Sequence, residues 1–205
     1  HRDLHSFPTR RSSDLEAYIL HGYLNGPKLL ELALNDGIDP LGGKRVGPRS
    51  GDAAAFRSFE ELYSAFETQL SYAVEWKIRI DGMLESLYAS LMPAPFLSLY
   101  IADCIPNAKD YYCGGARYNS DYIQSVGLGT VADSLSFVRT HVFGNGKVSM
   151  RDLRSALAAD WTGHDYLRAL ARNKTALYGN DDENADSIAV RVFESFISAI
   201  EGPKD

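Results

Sequence analysis

Between Phe59 and Val74 the apolar positions Phe59, Leu62, Tyr63, Phe66, Leu70, Ala73 and Val74 return at helical spacing, while Glu60, Glu67, Ser71 and Glu75 fall on the other side. Ser58 and Glu61 form a capping box at the start, each side chain reaching an N–H that the first turn leaves unpaired. The pattern predicts one amphipathic helix as far as Leu91, about 50 Å long, weakest at Gly82 and stopped by Pro93 and Pro95.

The same reading gives shorter helices elsewhere, joined by loops from Glu16 onward. Pro27, after Asn25 or Gly26, suits a first helical position because its missing N–H would be unpaired there anyway. Leu29, Leu30, Leu32, Ala33 and Leu34 follow, and Gly37 suits a left-handed end. This helix is apolar nearly all round, so it is expected to need cover from more protein than the chain supplies. Residues 39–52, dense in Gly, Pro and charge, read as a long surface connection.

Phe96 to Cys104 reads as a short apolar helix, and residues 109–125, crowded with Tyr, Asn and Gly, as loop. Leu128, Val131, Leu135, Val138 and Val142 form the next stripe, closed by Gly144-Asn145-Gly146. Ser149 caps a helix with Met150, Leu153 and Leu157 on one face and Asp152 near its positive end. A short helix over 164–172 follows. The acidic run Asp181-Asp182-Glu183 opens the last helix, with Ala189, Val192, Phe193, Phe196, Ile197 and Ile200 together. The expected fold class is mainly α.

Composition keeps this within ordinary globular protein: 205 residues, 45% hydrophobic, 23% charged, with 17 Gly and 8 Pro. Apolar runs such as 78–91 are broken by Arg79, Asp81 and Glu85, so none crosses roughly 30 Å of hydrocarbon. A formal charge of −6 leaves no basic surplus for phosphates. Neither nucleic acid nor a membrane is an expected partner. Two cysteines, Cys104 and Cys113, without a C-x-x-C or a nearby His at ligand spacing, argue against a disulfide scaffold and a zinc site. Cytoplasm is the default location, and no metal is expected.

The first residues stand apart. His5 to Leu15, H-S-F-P-T-R-R-S-S-D-L, resembles one translated frame of a short-read sequencing adapter, so residues 1–15 are taken as non-native and excluded from fold reasoning. Residues 16–205 are then expected to be an internal fragment of a longer protein.

Candidate chemistry is sparse. In Cys113-Gly114-Gly115-Ala116-Arg117-Tyr118-Asn119, two glycines and an arginine suit either a ligand loop that pairs an anion or a tight turn tied down by Tyr and Asn, the second being favoured. Gly127 and Gly129 lack the preceding strand that a dinucleotide motif needs. Cys104 reads as packing. Cys113, near Lys109 and Arg117, is the better nucleophile candidate. His21, His141 and His164 are not spaced as a metal pair, and no G-x-S-x-G elbow is present.

G-G-A-R-Y-N at Gly114 to Asn119 and V-G-L-G-T-V-A-D-S-L at Val126 to Leu135 resemble the catalytic subunits of glycyl radical enzymes, the pyruvate formate-lyase-like family. L-E-L-A-L-N-D-G at Leu30 to Gly37, F-R-S-F-E-E-L at Phe56 to Leu62 and Y-G-N-D-D at Tyr178 to Asp182 are similar to the same family, in order and spacing. The resemblance implies a parent α/β fold, a ten-stranded barrel around a cysteine loop that forms a thiyl radical and a glycine loop that stores it. It further implies a glycyl radical installed by a radical S-adenosylmethionine activating enzyme, a small-molecule substrate and a homodimer.

In the dehydratase and lyase branches the cysteine stands in Cys-x-Glu, which would fall just before Glu16; the radical motif R-V-x-G-Y is also missing. Arg45-Val46-Gly47-Pro48 has the wrong spacing and no aromatic after Gly. No catalytic residue is therefore expected in this chain, which alone should be inactive. Tyr23 falls about where relatives place an aromatic residue against substrate, with packing at the helix entry as the alternative. Tyr122-Ile123-Gln124 resembles the hydroxyproline dehydratase branch. Other members, such as glycerol or propanediol dehydratase, choline trimethylamine-lyase and formate C-acetyltransferase, remain alternatives, as does a helical interaction domain without an enzymatic parent.

Overall fold

The computed structural model describes residues 15–202. The adapter-like segment, apart from Leu15, and the side chain of His21 lie outside the described residues. The described residues form two compact units, one of residues 15–23 with Trp76–Gln124, the other of Leu24–Glu75 and residues 125–202.

The larger unit is helical. Helix α1 (Gly26–Leu34) starts where the Asn25 side chain accepts the Lys28 N–H at 3.2 Å, with Pro27 in the first turn. It ends at Leu34, capped by Asn35, three residues before the expected Gly37; the chain turns left-handed already at Asp36 (φ +51), and Gly37 (φ +75) continues that turn with its N–H on the Leu32 carbonyl at 2.8 Å. Leu29, Leu30, Leu32, Ala33 and Leu34 are all buried. The expectation that their cover must come from beyond the chain is overturned: α1 packs on α4 (Leu128–Phe137), whose Val131, Ala132 and Leu135 are themselves buried. Each fully buried leucine contributes roughly 1.5–3 kcal/mol of transfer free energy, enough for a local core to form around this helix.

Residues 39–52 are a connection, as read, and a tightly fastened one. Asp36 adopts φ +51, and its carboxylate accepts the N–H groups of Ser50 (2.8 Å) and Gly51 (2.9 Å) while pairing with Arg45 (2.9 Å). Chiefly the Gly51 N–H, then the Arg45 guanidinium and the Ser50 N–H, hold this carboxyl down at about 2. From α2 (Phe59–Leu91) the fully buried Gln69 donates to the Pro48 carbonyl (2.8 Å) and to the Ser50 hydroxyl (3.0 Å).

Helix α2 has the length the pattern predicts. Its Glu61 N–H meets the Ser58 hydroxyl at 3.3 Å, but the Glu61 carboxylate reaches back to the Arg57 N–H (2.8 Å), one residue earlier than a capping box requires. In its first half Leu62, Tyr63, Phe66, Leu70 and Val74 are buried. Helix α4 continues into a π-helix over Val138–Gly144, in which buried His141 donates Nε2–H to the Lys174 carbonyl (3.2 Å) and accepts from Asn145 at Nδ1 (3.4 Å). The tautomer follows from the partners, because a carbonyl can only accept.

Helix α5 (Met150–Ala158) is capped by Ser149. Helix α6 spans Asp165–Asn173, and α7, Glu183–Glu201, is capped by Asp182 and packs on α4. On α7 the buried stripe is Ala185, Ile188, Ala189, Val192 and Phe196; Phe193, Ile197 and Ile200, expected to join it, are exposed.

Two strands accompany the helices of a fold that is mainly α, as expected. Strand β1 (Glu16–Asn25) pairs with β2 (Tyr118–Val126), the second lying in a stretch expected to be loop. The Tyr118 N–H donates to the Leu15 carbonyl (3.0 Å) at their starts, and Gly26 stands beside Val126 at their ends, so the strands run parallel. Parallel partners need a long crossover, and these are joined through α1 and α2.

In the smaller unit Ala17 and Ile19 of β1 pack with Tyr111 and Ala116, flanked by Ala94, Ile101 and Tyr112. The apolar helix expected over Phe96 to Cys104 is only α3, Pro95–Ser98. Asp110 pins that short helix by accepting from the Ala94 N–H and the Ser98 hydroxyl, each at 2.9 Å. The chain then turns, with Asp103 at φ +77. Among the described residues no helix is long and apolar enough to cross a membrane.

Candidate functional site

Tyr23, the proposed substrate contact, is the third residue from the carboxyl end of β1 and is 61% exposed. Ligands of parallel sheets gather at the carboxyl ends of the strands, so this is a suitable place for a phenol that meets a small polar molecule. On the same strand pair the Tyr122 hydroxyl donates to the Glu16 carboxylate. That contact joins the starting residue of β1 to the Tyr-Ile-Gln run of β2.

The G-G-A-R-Y-N segment is a fastened turn. Gly114 has φ +74, and a Cβ on Gly115 would stand 2.3 Å from the Lys109 carbonyl oxygen and 2.8 Å from both the Asp110 carbonyl and the Cys104 sulfur. Asn107 donates to the Gly115 carbonyl (3.1 Å) and Asn119 to that of Ala116 (3.0 Å). Arg117, a candidate for an anion, makes a two-pronged pair with Asp103 at 2.7 and 3.1 Å. The tight-turn reading accounts for Gly114, Gly115, Arg117 and Asn119, while Tyr118, 58% exposed, starts β2.

Gly127 and Gly129 need a correction. A strand does precede them: β2 runs into Gly127 (φ +82), and Gly127-Leu128-Gly129-Thr130-Val131-Ala132 opens α4 with the spacing of a dinucleotide fingerprint. In such a fingerprint the glycines leave room for a pyrophosphate. Here the space is taken, because a Cβ on Gly127 would lie 2.5 Å from the Pro27 ring and one on Gly129 3.4 Å from Tyr178.

The cysteines separate as expected in exposure. Cys104 is buried, and desolvation first, then the Asp110 and Asp103 charges, pushes its thiol up. Cys113 is exposed, its thiol 3.4 Å from the Ala89 carbonyl. Gly47, in the sequence resembling a radical motif, is buried, and its Cβ would fall 2.0 Å from the Gln69 Oε1.

The helical unit also holds a cleft of about 370 Å³ lined by Leu34, Asn35, Phe137, Leu153, Arg154 and Trp161 among others. Arg154 is already committed there, to Asp52 (3.0 Å) and Asn35 (3.4 Å). Tyr23 does not line this cleft. Sequence reasoning missed it because its residues come from five separate segments.

Residues 11–205 match the pyruvate formate lyase-like family model. The chain belongs to that family. It is 45% identical over 187 residues to trans-4-hydroxy-L-proline dehydratase of Clostridioides difficile, covering 91% of this chain and 24% of the relative. Identity is 32% over 183 residues to (2S)-3-sulfopropanediol dehydratase of Klebsiella oxytoca, covering 89% of this chain and 22% of that protein.

Among solved structures, the hydroxyproline dehydratase of Clostridioides difficile with trans-4-hydroxy-L-proline bound superposes with a TM-score of 0.84 at 45% identity, over 89% of this chain and 23% of that one. The glycerol-bound glycerol dehydratase of Clostridium butyricum gives 0.79 at 28% identity, over 91% and 24%. The chain thus spans about a quarter of the length of the relatives it matches.

Proposed function

We propose that the protein to which this chain belongs is a glycyl radical dehydratase that removes water from a small hydroxylated substrate, trans-4-hydroxy-L-proline being the one to test first. The observation that carries this reading is the step in identity, 45% to the hydroxyproline enzyme against 32% to the sulfopropanediol enzyme. The run Tyr122-Ile123-Gln124 on β2 supports the same branch. The radical chemistry belongs to segments beyond this chain, so the fragment alone is inactive. A radical S-adenosylmethionine activating enzyme and a second subunit are the partners, in the cytoplasm. This chain contributes Tyr23, whose ring and hydroxyl orient the substrate at the carboxyl end of β1.

The longer polypeptide, activated anaerobically, tests both parts. Consumption of trans-4-hydroxy-L-proline, with a glycyl radical visible by electron paramagnetic resonance, supports the reading; turnover of glycerol or propanediol alone overturns the substrate. Tyr23→Phe is expected to lower turnover or affinity on the order of tenfold to a hundredfold, because a misplacement of about 1 Å is that costly. Radical yield should not change. Unaltered kinetics in the fully activated variant would remove the Tyr23 hydroxyl as a substrate contact.

A further inference from the structure

Gly22 stands inside β1 with φ +126, a region that side-chain-bearing residues enter only under strain. Successive side chains of a regular strand point to opposite faces, so Ala17, Ile19 and Tyr23 would share one face. Ala17 is fully buried and Ile19 is 8% exposed, yet Tyr23 is 61% exposed and its neighbour Leu24 is buried. Burial along β1 therefore passes from the odd-numbered positions to an even-numbered one between Ile19 and Leu24, where the chain leaves the smaller unit for the larger. Strand β1 uses ten residues where its partner β2 uses nine. An extra residue that bends one strand and re-aims the next side chain is a β-bulge, a feature found disproportionately beside active sites. No atom lies within 4 Å of where a Gly22 Cβ would stand. Glycine is required there by its dihedral angle, and not by crowding.

We propose that Gly22 is a positioning residue, a bulge that turns the Tyr23 phenol off the buried face of β1 and into the open. The benefit to catalysis rests on the reading of Tyr23 as a substrate contact; the re-aiming does not. Nitration of the chain with tetranitromethane, mapped by peptide mass spectrometry, reads the re-aiming directly. Gly22→Ala should lower Tyr23 labelling several-fold, with exposed Tyr100 and Tyr166 unchanged as standards and buried Tyr63 unlabelled as a monitor of folding. Deleting Gly22 equalises the strands at nine residues and leaves the phenol open by alternation alone, so labelling should stay near that of the parent chain. Tyr23 labelling that is unchanged in Gly22→Ala, or lost in the deletion, overturns the proposal. Should Tyr63 become labelled in Gly22→Ala, the deletion variant decides by itself.

In the longer enzyme, Gly22→Ala should lower turnover tenfold or more, yet cost less than about twofold in a Tyr23→Ala background, because residues acting through one another are not additive. Equal losses in both backgrounds refute a positioning role. A Tyr23→Ala variant with normal turnover removes the substrate reading and leaves the labelling result standing.

Discussion

The guanidinium carbon of Arg191 lies 3.6 Å from the centre of the Tyr63 ring. The same group makes two hydrogen bonds to the Glu60 carboxylate, at 2.9 and 2.6 Å, and the Tyr63 hydroxyl meets Ser195 at 3.0 Å. One side chain on α7 thus binds both the first turn of α2 and an aromatic residue of its core face. Arg191→Lys keeps the charge but loses the planar fork and the stacking, so it should cost about 1 kcal/mol. Urea denaturation of Arg191→Lys, Tyr63→Leu, which removes the ring, and the double variant checks this, with a double loss smaller than the sum of the singles.

Two glycines should respond in opposite directions to alanine. Gly115→Ala drives a Cβ against two backbone carbonyls and the Cys104 sulfur, and should lower stability by about 1–3 kcal/mol or prevent folding. Gly82→Ala, inside α2 with open space around it, should raise stability by about 0.5–1 kcal/mol. Thermal melts of the two variants under one condition decide it.

Alkylation should distinguish the cysteines. In the folded chain iodoacetamide should modify exposed Cys113 and leave Cys104, whose buried thiol is disfavoured as thiolate, until denaturant is added. Equal rates in native buffer, followed by peptide mass, would contradict the packing around Gly115.

Asp36 gives a pH dependence with a definite sign. Its folded-state value, about 2, lies below the ordinary aspartate value of 3.8, so the clasp stabilises the fold above that ordinary value. That contribution declines as pH falls toward about 2. The gap in denaturation midpoint between the parent chain and Asp36→Asn should therefore be constant near neutrality and close between about pH 4 and pH 2.

Helices were legible because their signals are local. Asn25, Ser149 and Asp182 cap where their side chains and spacing indicate, and α2 runs its full length to the proline stop. The strands were not, because β1 and β2 are defined by pairing across some hundred residues, and the Tyr-Asn-Ser-Asp start of β2 carries turn chemistry. Tyr23 could be named from resemblance, but its exposure could not, since the bulge at Gly22 appears in a sequence only as one more glycine. The motifs carrying the resemblance largely act as fasteners: Asp36 clasps a connection, Ser58 and Glu61 hold a helix start, and Asp133 accepts the Tyr178 N–H at 2.7 Å.

The contact of Pro27 with Gly127 bears on how this scaffold could be altered. A Gly-x-Gly turn between a strand and a helix is ordinarily vacant ground for a phosphate, but this one has a permanent tenant from its own chain. Anyone grafting nucleotide binding onto it would have to evict the proline ring first, and would thereby loosen the start of α1, the helix on which the local core depends. Mutation at residue 127 faces a double lock, because any side chain meets both the ring and a φ of +82. The two positions can drift only together.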